Sequence, residues 1–191
     1  MRVIAGRYKG RRLAQPAWPG LRPTSDRLKE SVFAILEPVL EGARVLDGFA
    51  GSGALGIEAL SRGASEVVFV DGDARAAALI ARNLAHCGIT QGYVMMRAEF
   101  AQALGRLPAG TRFDLALLDP PYDHAGLDAA LAAAAGRMAE GGVIVLEHAT
   151  RRRPPGRAGR FAAGRLVSAG DSSVTFYREA PAPAASGREG P

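Results

Sequence analysis

The sequence has few of the residues that build disulfide bridges, metal sites or membrane spans. Its 191 residues include a single cysteine, Cys87, and three histidines, so an internal disulfide and a cysteine-based metal site are excluded. The longest stretch without a charged side chain, 83–96, contains Asn, His, Thr and Gln, whereas a membrane helix needs about 20 mostly apolar residues. Residues 1–12 scatter charges where a secretory signal has an apolar core. The sequence therefore predicts a cytoplasmic protein with no metal and no membrane partner.

Positive charge is concentrated near the N-terminus. Residues 1–30 carry eight basic side chains against two acidic ones, whereas the remaining 161 residues carry 16 basic and 17 acidic side chains. Such an asymmetry is expected where a segment contacts a polyanion, so nucleic acid is the leading candidate partner. The alternative is a solubilising tail, because 22 of the 24 basic residues are arginine, as a composition bias would produce.

From residue 43 onward, short apolar runs alternate with helical patterns, and 48% of the chain is hydrophobic. Strands are predicted over 43–49, 66–71, 92–98, 113–119 and 142–148, and helices over 54–61, 73–86, 100–107 and 127–138. Continuous apolar strands separated by helices indicate a parallel sheet covered on both faces. Two later β-like runs, joined at Gly170 and Asp171, predict an antiparallel hairpin. The predicted fold class is α/β, with a mostly parallel, seven-stranded sheet.

The chain divides into a basic N-terminal arm over 1–24, an α/β domain over 25–179 and a disordered tail over 180–191. Residues 3–15 predict a short hairpin or irregular arm, and a proline-rich stretch follows them. Thr24 or Ser25 is a suitable N-cap for the first helix. The tail consists mostly of Pro, Ala and Gly without apolar periodicity, which is typical of disorder.

A glycine-rich turn follows the first strand of the predicted sheet. Gly51, Gly53 and Gly56 form a G-x-G-x-x-G pattern, and Asp71 ends the next strand. This spacing is typical of a dinucleotide site, and the pattern also occurs as a purely structural turn. However, Asp47 stands just before the turn, where a carboxylate repels a pyrophosphate and attracts a cationic amino group. The turn therefore favours a zwitterionic ligand.

The fourth strand ends in Asp119-Pro120-Pro121-Tyr122. An exocyclic amine of a base is a poor nucleophile because its lone pair is delocalised into the ring. The Asp119 carboxylate and the Pro120 carbonyl can accept hydrogen bonds from such an amine, and the prolines have no N–H that would compete. Tyr122 offers a face for base stacking, worth about 1–3 kcal/mol. The tetrapeptide therefore indicates chemistry on the amine of a base that has left its helix or lies in a loop.

These segments together resemble the class I S-adenosylmethionine-dependent methyltransferases. RVIAGRYKGRRL, LRPTSDRLKESVF, GFAGSGALGIEALSRGA and DPPY, in that order, are similar to the bacterial 16S rRNA guanine-N2 methyltransferases of the RsmD family, over about residues 2–179. The resemblance implies a Rossmann-like class I methyltransferase fold and S-adenosylmethionine as cofactor. It also implies methyl transfer to the N2 amine of a guanine in ribosomal RNA, within a small-subunit particle or assembly intermediate.

The resemblance also implies roles for individual residues. The cofactor-binding set is Asp47, Phe49, Gly51, Gly53, Asp71, Glu99 and Phe100, and the catalytic set is Asp119, Pro120, Pro121 and Tyr122. The RNA-binding set is Arg7, Lys9, Arg11, Arg12, Arg22, Thr24 and Arg27. Two positions depart from the family pattern, since Glu99 stands where an aspartate is usual and Gly48 where another residue is commoner.

Three other functions stay open at this point. An adenine-N6 nucleic-acid methyltransferase uses similar residues, a non-catalytic RNA-binding assembly factor could keep the same fold, and a dinucleotide-binding oxidoreductase would use the glycine turn. Trp18 is predicted to pack within its loop or to stack on a base. Arg151–Arg153 form a basic run that either contacts phosphate or is a solvated charged segment.

Overall fold

The computed structural model describes residues 1–16, 26–122 and 124–180. Its helices are α1 Asp26–Leu36, α2 Ala54–Ser61, α3 Ala74–Cys87, α4 Phe100–Arg106 and α5 Leu127–Ala135, with a 3-10 turn at Glu37–Val39. Its strands are β1 Arg44–Gly48, β2 Glu66–Asp71, β3 Tyr93–Arg97, β4 Phe113–Leu118, β5 Met138–Ala149, β6 Arg157–Ala158, β7 Phe161–Ala169 and β8 Ser172–Glu179. The predictions for Trp18, Arg22, Thr24, Ser25 and the tail after Ala180 lie outside the described residues.

All of these strands form one sheet, in the order β3-β2-β1-β4-β5-β8-β7-β6. Strands β1 to β5 pair in parallel, and β6, β7 and β8 pair antiparallel. The predicted mostly parallel α/β sheet with a C-terminal hairpin is confirmed. The sheet has eight strands and not seven, because the two-residue strand β6 pairs with the start of β7. Two residues are too short to produce a readable apolar pattern.

Chain order reverses between β1 and β4, which are neighbours although β2 and β3 separate them in sequence. Crossover connections leave this point in opposite directions, so a crevice opens beyond the carboxyl ends of the two strands. The glycine turn follows β1 and the Asp-Pro-Pro-Tyr segment follows β4. The topology therefore brings the two motifs of the sequence to one crevice.

Strand side chains alternate between two hydrophobic cores on opposite faces of the sheet. Val45, Phe69, Leu117 and Val145 join the core that contains buried residues of α1, α2 and α3, and Leu46, Val70, Leu118 and Leu146 join the core that contains those of α4 and α5. The two faces of the sheet are not fully covered at β3, where the Val94 residue is 42% and the Met95 residue 37% exposed to solvent. The prediction that both faces are covered therefore fails at this strand, which is an edge of the sheet.

The largest difference from the predicted elements occurs around residue 138. The helix predicted over 127–138 ends at Ala135, and β5 begins at Met138 and not at residue 142. Met138 pairs with Phe113 of β4, and both side chains are almost fully buried. An alanine-rich sequence followed by an apolar residue continues a helical pattern, but pairing with β4 buries Met138 as a strand residue.

The N-terminal residues form a small hairpin-like arm that packs on α2. Val3 N donates to Arg11 O at 3.0 Å and Gly10 N to Val3 O at 2.9 Å, as the predicted hairpin requires. Backbone N–H groups of Ile4 and Ala5 then donate to the buried Glu58 carboxylate of α2, at 2.8 and 3.0 Å. These bonds satisfy a buried charge, so this part of the arm has a fixed position on the α/β fold.

Candidate active site

Four carboxylates end four neighbouring strands at the crevice. Asp71 ends β2, Asp47 lies near the end of β1, Asp119 follows β4, and Glu147 lies near the end of β5. Gly48 is in register with Leu118, and Leu118 with Leu146. Strand alternation directs the four side chains toward the face covered by α1, α2 and α3. Three of them are among the site residues predicted from the sequence, and Glu147 is not.

Asp47 is an acid held in an apolar environment. Its side chain is 1% exposed, and Oδ2 accepts a hydrogen bond of 2.8 Å from Gly56 N. Burial raises the pKa of Asp47 to about 8 against the lowering effect of the Gly56 bond, and the charge of Asp71 adds to the rise. A cation placed beside this carboxyl would favour its ionised form, so the position suits an ammonium group.

The glycine turn is shaped by close contacts and left-handed backbone. Gly51 and Gly53 have φ values of 55° and 74°, which residues other than glycine rarely adopt. At Gly56, a Cβ atom would lie 2.3 Å from the Phe69 ring and 2.8 Å from Asp47 Oδ2. Gly56 therefore lets α2 approach β2 and donate to Asp47, which is a structural reason for the third glycine of the pattern.

Asp71 orders the turn from the neighbouring strand. Its Oδ2 accepts from Gly51 N and its Oδ1 from Asp73 N, both at 2.9 Å. Each carboxylate oxygen has a second lone pair, so Asp71 can hold the turn and still accept from the two hydroxyls of a ribose. The ribose contact stays a prediction.

Asn83 of α3 links the glycine turn to the N-terminal arm. Its Nδ2 donates to Ser52 O at 2.9 Å and to Ala14 O at 3.1 Å, while its Oδ1 accepts from Ala14 N at 2.8 Å. The side chain is fully buried and all three bonds have good length. The arm and the turn are therefore joined by one rigid amide that the sequence analysis did not identify.

An aromatic stack lies beside the turn. Phe49 has φ of 60°, and its ring stacks on Phe100 with centroids 4.9 Å apart, while His124 meets it edge-on at 5.0 Å. A Cβ at residue 48 would lie 2.4 Å from the Phe100 ring. Glycine at position 48 is therefore what this position of Phe100 requires.

Glu99 stands at the N-terminus of α4, and its side chain accepts from Gln102 N at 3.1 Å. The residue is exposed, whereas the neighbouring Phe100 is almost fully buried. Glu99 therefore caps the helix by accepting from one of its first N–H groups. Its contact with an adenine amino group stays a prediction.

Asp119 is fixed next to the end of β1. Its backbone N–H donates to Gly48 O at 3.3 Å, which brings the Asp-Pro-Pro-Tyr segment beside the glycine turn. Burial raises the pKa of the Asp119 carboxyl well above its ordinary value, and the charges of Glu147 and then Asp47 add to the rise. The charge of Glu147 therefore makes ionisation of Asp119 less favourable.

Tyr122 is held from two directions by the C-terminal part of the sheet. Its hydroxyl lies 2.5 Å from Ser172 Oγ of β8. Arg152 Nη1 donates to the Tyr122 carbonyl at 2.8 Å, and Nη2 to the His124 carbonyl at 3.0 Å. Residue 152 belongs to the basic run that the sequence analysis assigned to phosphate or solvent, so this contact corrects that assignment. No local pattern marks Arg152 or Ser172, because their partners are 30 and 50 residues away.

The described residues of the predicted RNA-binding set are exposed. Arg7, Lys9, Arg11 and Arg12 lie on the arm and Arg27 on α1, whereas Arg22 and Thr24 lie outside the described residues. Arg11 Nη1 donates to His86 O at 3.0 Å, so part of this guanidinium already has a hydrogen-bond partner within the protein. Their contact with RNA stays a prediction.

Lys29, which contributes to the basic count of residues 1–30, is internal. It is 1% exposed, donates to Arg2 O at 2.5 Å and lies 3.6 Å from Glu58 Oε2. Burial lowers the pKa of Lys29, and Glu58 opposes that shift. The surface charge near the N-terminus is therefore smaller than the sequence count suggests.

Within the three described ranges, no group of three or more His, Cys, Asp and Glu side chains is arranged to hold a metal ion. None of the helices there has the length and apolar character of a membrane span. His148 lies buried in β5, where Nε2 is 2.9 Å from Thr175 Oγ1. Its other ring nitrogen, Nδ1, lies 3.0 Å from the Ala149 carbonyl oxygen, so both nitrogens of the buried ring have hydrogen-bond partners.

Comparison with known proteins finds relatives over most of the chain. The family described as "Conserved hypothetical protein 95" matches residues 1–178. "Putative rRNA methyltransferase YlbH" of Bacillus subtilis is 38% identical over 182 residues, covering 94% of this chain and 99% of that protein. "Ribosomal RNA small subunit methyltransferase D" of Escherichia coli is 41% identical over 123 residues, covering 64% of this chain and 60% of that protein.

A solved structure gives the same result at the level of the fold. "Putative methyltransferase yhhF from Escherichia coli" superposes with a TM-score of 0.81 at 30% sequence identity. The match covers 94% of this chain and 97% of that one. The similarity therefore extends over nearly the whole chain and is not limited to the parallel strands.

Proposed function

The chain belongs to the Conserved hypothetical protein 95 family, the RsmD family of ribosomal RNA methyltransferases, and we propose that it methylates the N2 amine of a guanine in 16S rRNA with S-adenosylmethionine. One observation carries the proposal. Asp47 and Asp119 end neighbouring strands at the crevice, so an anchor for a cationic cofactor lies beside an acceptor for an amine. The substrate is the RNA of a small-subunit particle or assembly intermediate, and a cytoplasmic location stays a prediction.

The residues at the crevice fit the cofactor. A buried carboxyl with a raised pKa, Asp47, suits the α-ammonium group of the methionine part, and Asp71 has lone pairs left for the ribose hydroxyls. The turn at Gly51 and Gly53 lets a ligand approach the backbone at the start of α2, and Phe49 adds an aromatic face. When bound, S-adenosylmethionine supplies a methyl group activated by a sulfonium cation.

Asp119 acts on the attacking amine. Its carboxylate and the Pro120 carbonyl accept hydrogen bonds from the two N–H groups, which directs the nitrogen lone pair toward the methyl carbon. Asp119 would take up the proton that the amine loses as it accepts the methyl group that bound S-adenosylmethionine supplies. Asp119 must be ionised to take up this proton, and its raised pKa makes the ionised form a stronger base than an ordinary aspartate carboxylate. Tyr122, held by Ser172, supplies the stacking face.

Glu147 favours guanine over adenine. The Watson–Crick edge of guanine presents the N2 amine and the N1–H group side by side, whereas adenine presents an amine beside the unprotonated N1 acceptor. Asp119 and Glu147 are neighbouring carboxylates, and they match two neighbouring donors. An ionised Glu147 facing adenine N1 would leave two acceptors opposed, which costs free energy in a buried site, so this preference requires Glu147 to be ionised when the base binds.

The test is the identity of the methylated nucleoside. The protein is incubated with 16S rRNA, or with small subunits at different stages of assembly, and with methyl-labelled cofactor, and the RNA is digested to nucleosides. We expect N2-methylguanosine from the wild type and none from Asp119→Ala. N6-methyladenosine would support the adenine alternative. RNA binding without any label would support the non-catalytic assembly factor. Family membership speaks against the dinucleotide oxidoreductase.

A further inference from the structure

Two clefts flank the turn between β7 and β8. The larger has a volume of about 540 Å³ and is lined by Tyr122, Ala149, Thr150, Arg151, Gly170 and Asp171. The smaller, of about 350 Å³, has Arg27, Ser31, Ser168 and Gly170 in its lining. Gly170 lines both, so the two clefts adjoin at the turn. A volume of 540 Å³ lies within the range of sites that hold a small organic ligand.

The larger cleft shares Tyr122 with the proposed active site but is not lined by Asp119. The target guanine must place its N2 amine at Asp119, so the target base does not fill this cleft. An adjacent nucleotide of the same strand would lie on the Tyr122 side of the target. The position of the cleft therefore matches a neighbouring nucleotide and not the methylated one.

The three arginines of the basic run have different environments. Arg152 is committed to the Tyr122 and His124 carbonyls. Arg151 is exposed and lines the larger cleft, whereas Arg153 is exposed and lines neither of the two clefts. A guanidinium at the wall of a cleft beside a stacking aromatic ring is a suitable donor to a phosphate.

The floor of the cleft is preorganised. Thr150 Oγ1 donates to Gly170 O at 3.0 Å and accepts from Ser173 Oγ at 3.0 Å, and Thr150 N donates to Asp171 O at 2.9 Å. The Tyr122 ring, as one wall, is tied through its hydroxyl to Ser172. A rigid cleft loses little entropy on binding a flexible single strand.

We propose that the cleft between Tyr122 and Arg151 binds the nucleotide next to the target guanine, with Arg151 on its phosphate and Tyr122 stacked between neighbouring bases. This inference rests on the proposed function. Base recognition is limited to unpaired RNA, because a nucleotide within a duplex cannot enter a cleft of this kind. Beyond Gly170, the strand continues toward Arg27 on α1.

The experiment compares Arg151→Ala with Arg153→Ala, which remove the same charge from adjacent exposed positions. Binding of an unpaired RNA oligonucleotide that contains the target guanine is measured without methyl transfer. We expect Arg151→Ala to weaken binding about tenfold, the effect of losing one hydrogen bond between charged groups, and Arg153→Ala to weaken it less than threefold. Unchanged affinity for S-adenosylhomocysteine shows that both variants are folded.

A second readout uses the RNA. Replacing the nucleotide next to the target by an abasic one that keeps the phosphate should weaken wild-type binding by about tenfold through lost stacking. The Tyr122→Phe variant, which keeps the ring, should retain that sensitivity. Equal losses for Arg151→Ala and Arg153→Ala, or no effect of the abasic nucleotide, would overturn the proposed subsite. Absence of methyl transfer with the binding difference intact would instead overturn the proposed function.

Discussion

The parallel and antiparallel halves of the sheet contribute to the candidate site in different ways. The parallel strands β1, β2 and β4 supply acids that would contact cofactor and substrate, each at a strand end. The antiparallel strand β8 and the loop before β6 supply Ser172 and Arg152, which hold the Asp-Pro-Pro-Tyr segment from outside. The proposed reacting groups come from one half of the sheet and the bonds that hold Tyr122 come from the other, so variants in the two halves should have separable effects.

The largest expected effect lies in the parallel half. Asp119→Ala should lower turnover by about a hundredfold or more, because it removes the acceptor for the amine proton. Affinity for S-adenosylhomocysteine should stay within a few fold, since Asp119 is not among the residues proposed to bind the cofactor. Calorimetry and a methyl-transfer assay measure the two effects, with Asp114→Ala, an acid of β4 far from the strand end, as the control. Unchanged turnover would remove Asp119 from the mechanism.

Asp71→Ala should affect binding and not the chemical step. Loss of its hydrogen bonds to the ribose should weaken cofactor affinity by about 1.5–3 kcal/mol, and loss of the Gly51 N bond loosens the turn. Asp71→Asn keeps one acceptor and should have a smaller effect. Calorimetry with S-adenosylhomocysteine measures both variants, and unaltered affinity in both would mean that the ribose lies elsewhere.

The antiparallel half is tested through Arg152. Arg152→Ala removes two hydrogen bonds that position the catalytic segment, so kcat at saturating RNA should fall about tenfold. Cofactor affinity should not change, because Arg152 has no contact with the glycine turn among its described bonds. Ser172→Ala should act in the same direction through Tyr122. A change in the KM for RNA with normal kcat would show that Arg152 acts on the RNA and not through the loop.

The raised pKa of Asp47 predicts that cofactor binding depends on pH. This dependence should arise from the parallel half of the sheet. Below pH 8 the carboxyl of the ligand-free protein is mostly protonated, and an ammonium group binds its ionised form. Binding therefore releases a proton, and S-adenosylhomocysteine affinity should rise just under tenfold per pH unit up to about pH 8. Asp47→Asn should flatten the profile, whereas Asp119→Asn should keep it. A flat profile in the wild type would contradict the assignment.

The smallest effect per residue is expected on the arm. Replacing Arg7, Lys9, Arg11 and Arg12 with alanine should weaken RNA binding and reduce the slope of log affinity against log salt by up to about 3. Cofactor affinity should stay nearly intact. Salt titrations of RNA binding measure the slope.

A matched control compares two double variants that remove the same number of positive charges. Arg7→Ala/Arg12→Ala is compared with Arg82→Ala/Arg106→Ala, which removes two exposed arginines from helices α3 and α4. The arm pair should lower the salt slope by about 1.4 more than the helix pair if it contacts single-stranded RNA. Equal slopes would mean that the arm only contributes to the net charge of the protein.

The succession of strands, turns and helices along the chain could largely be predicted from the sequence. The β/α alternation, the glycine turn and the acids at strand ends follow from apolar periodicity and from residues a few positions apart, so Asp47, Asp71 and Asp119 were identified. Glu147 carried the same signal, an acid at the end of an apolar strand, and could have been found. The end of α5 and the start of β5 could not, because pairing of Met138 with Phe113 overrides an alanine-rich helical pattern.

The sequence by itself indicated the fold class, the family and the candidate site residues at the strand ends, because apolar periodicity, ordered motifs and residue types can be read without knowing which parts of the chain meet. Only the tertiary structure decided which arginine holds the Tyr122 loop, which lines a cleft and which lysine is buried. Arg151, Arg152 and Arg153 are identical in local sequence terms, and Lys29 looks like any other cation near the start of a helix. Their roles depend on residues that are distant in the sequence: Arg152 contacts Tyr122, Arg151 lines a cleft together with Gly170, and Lys29 lies beside Glu58.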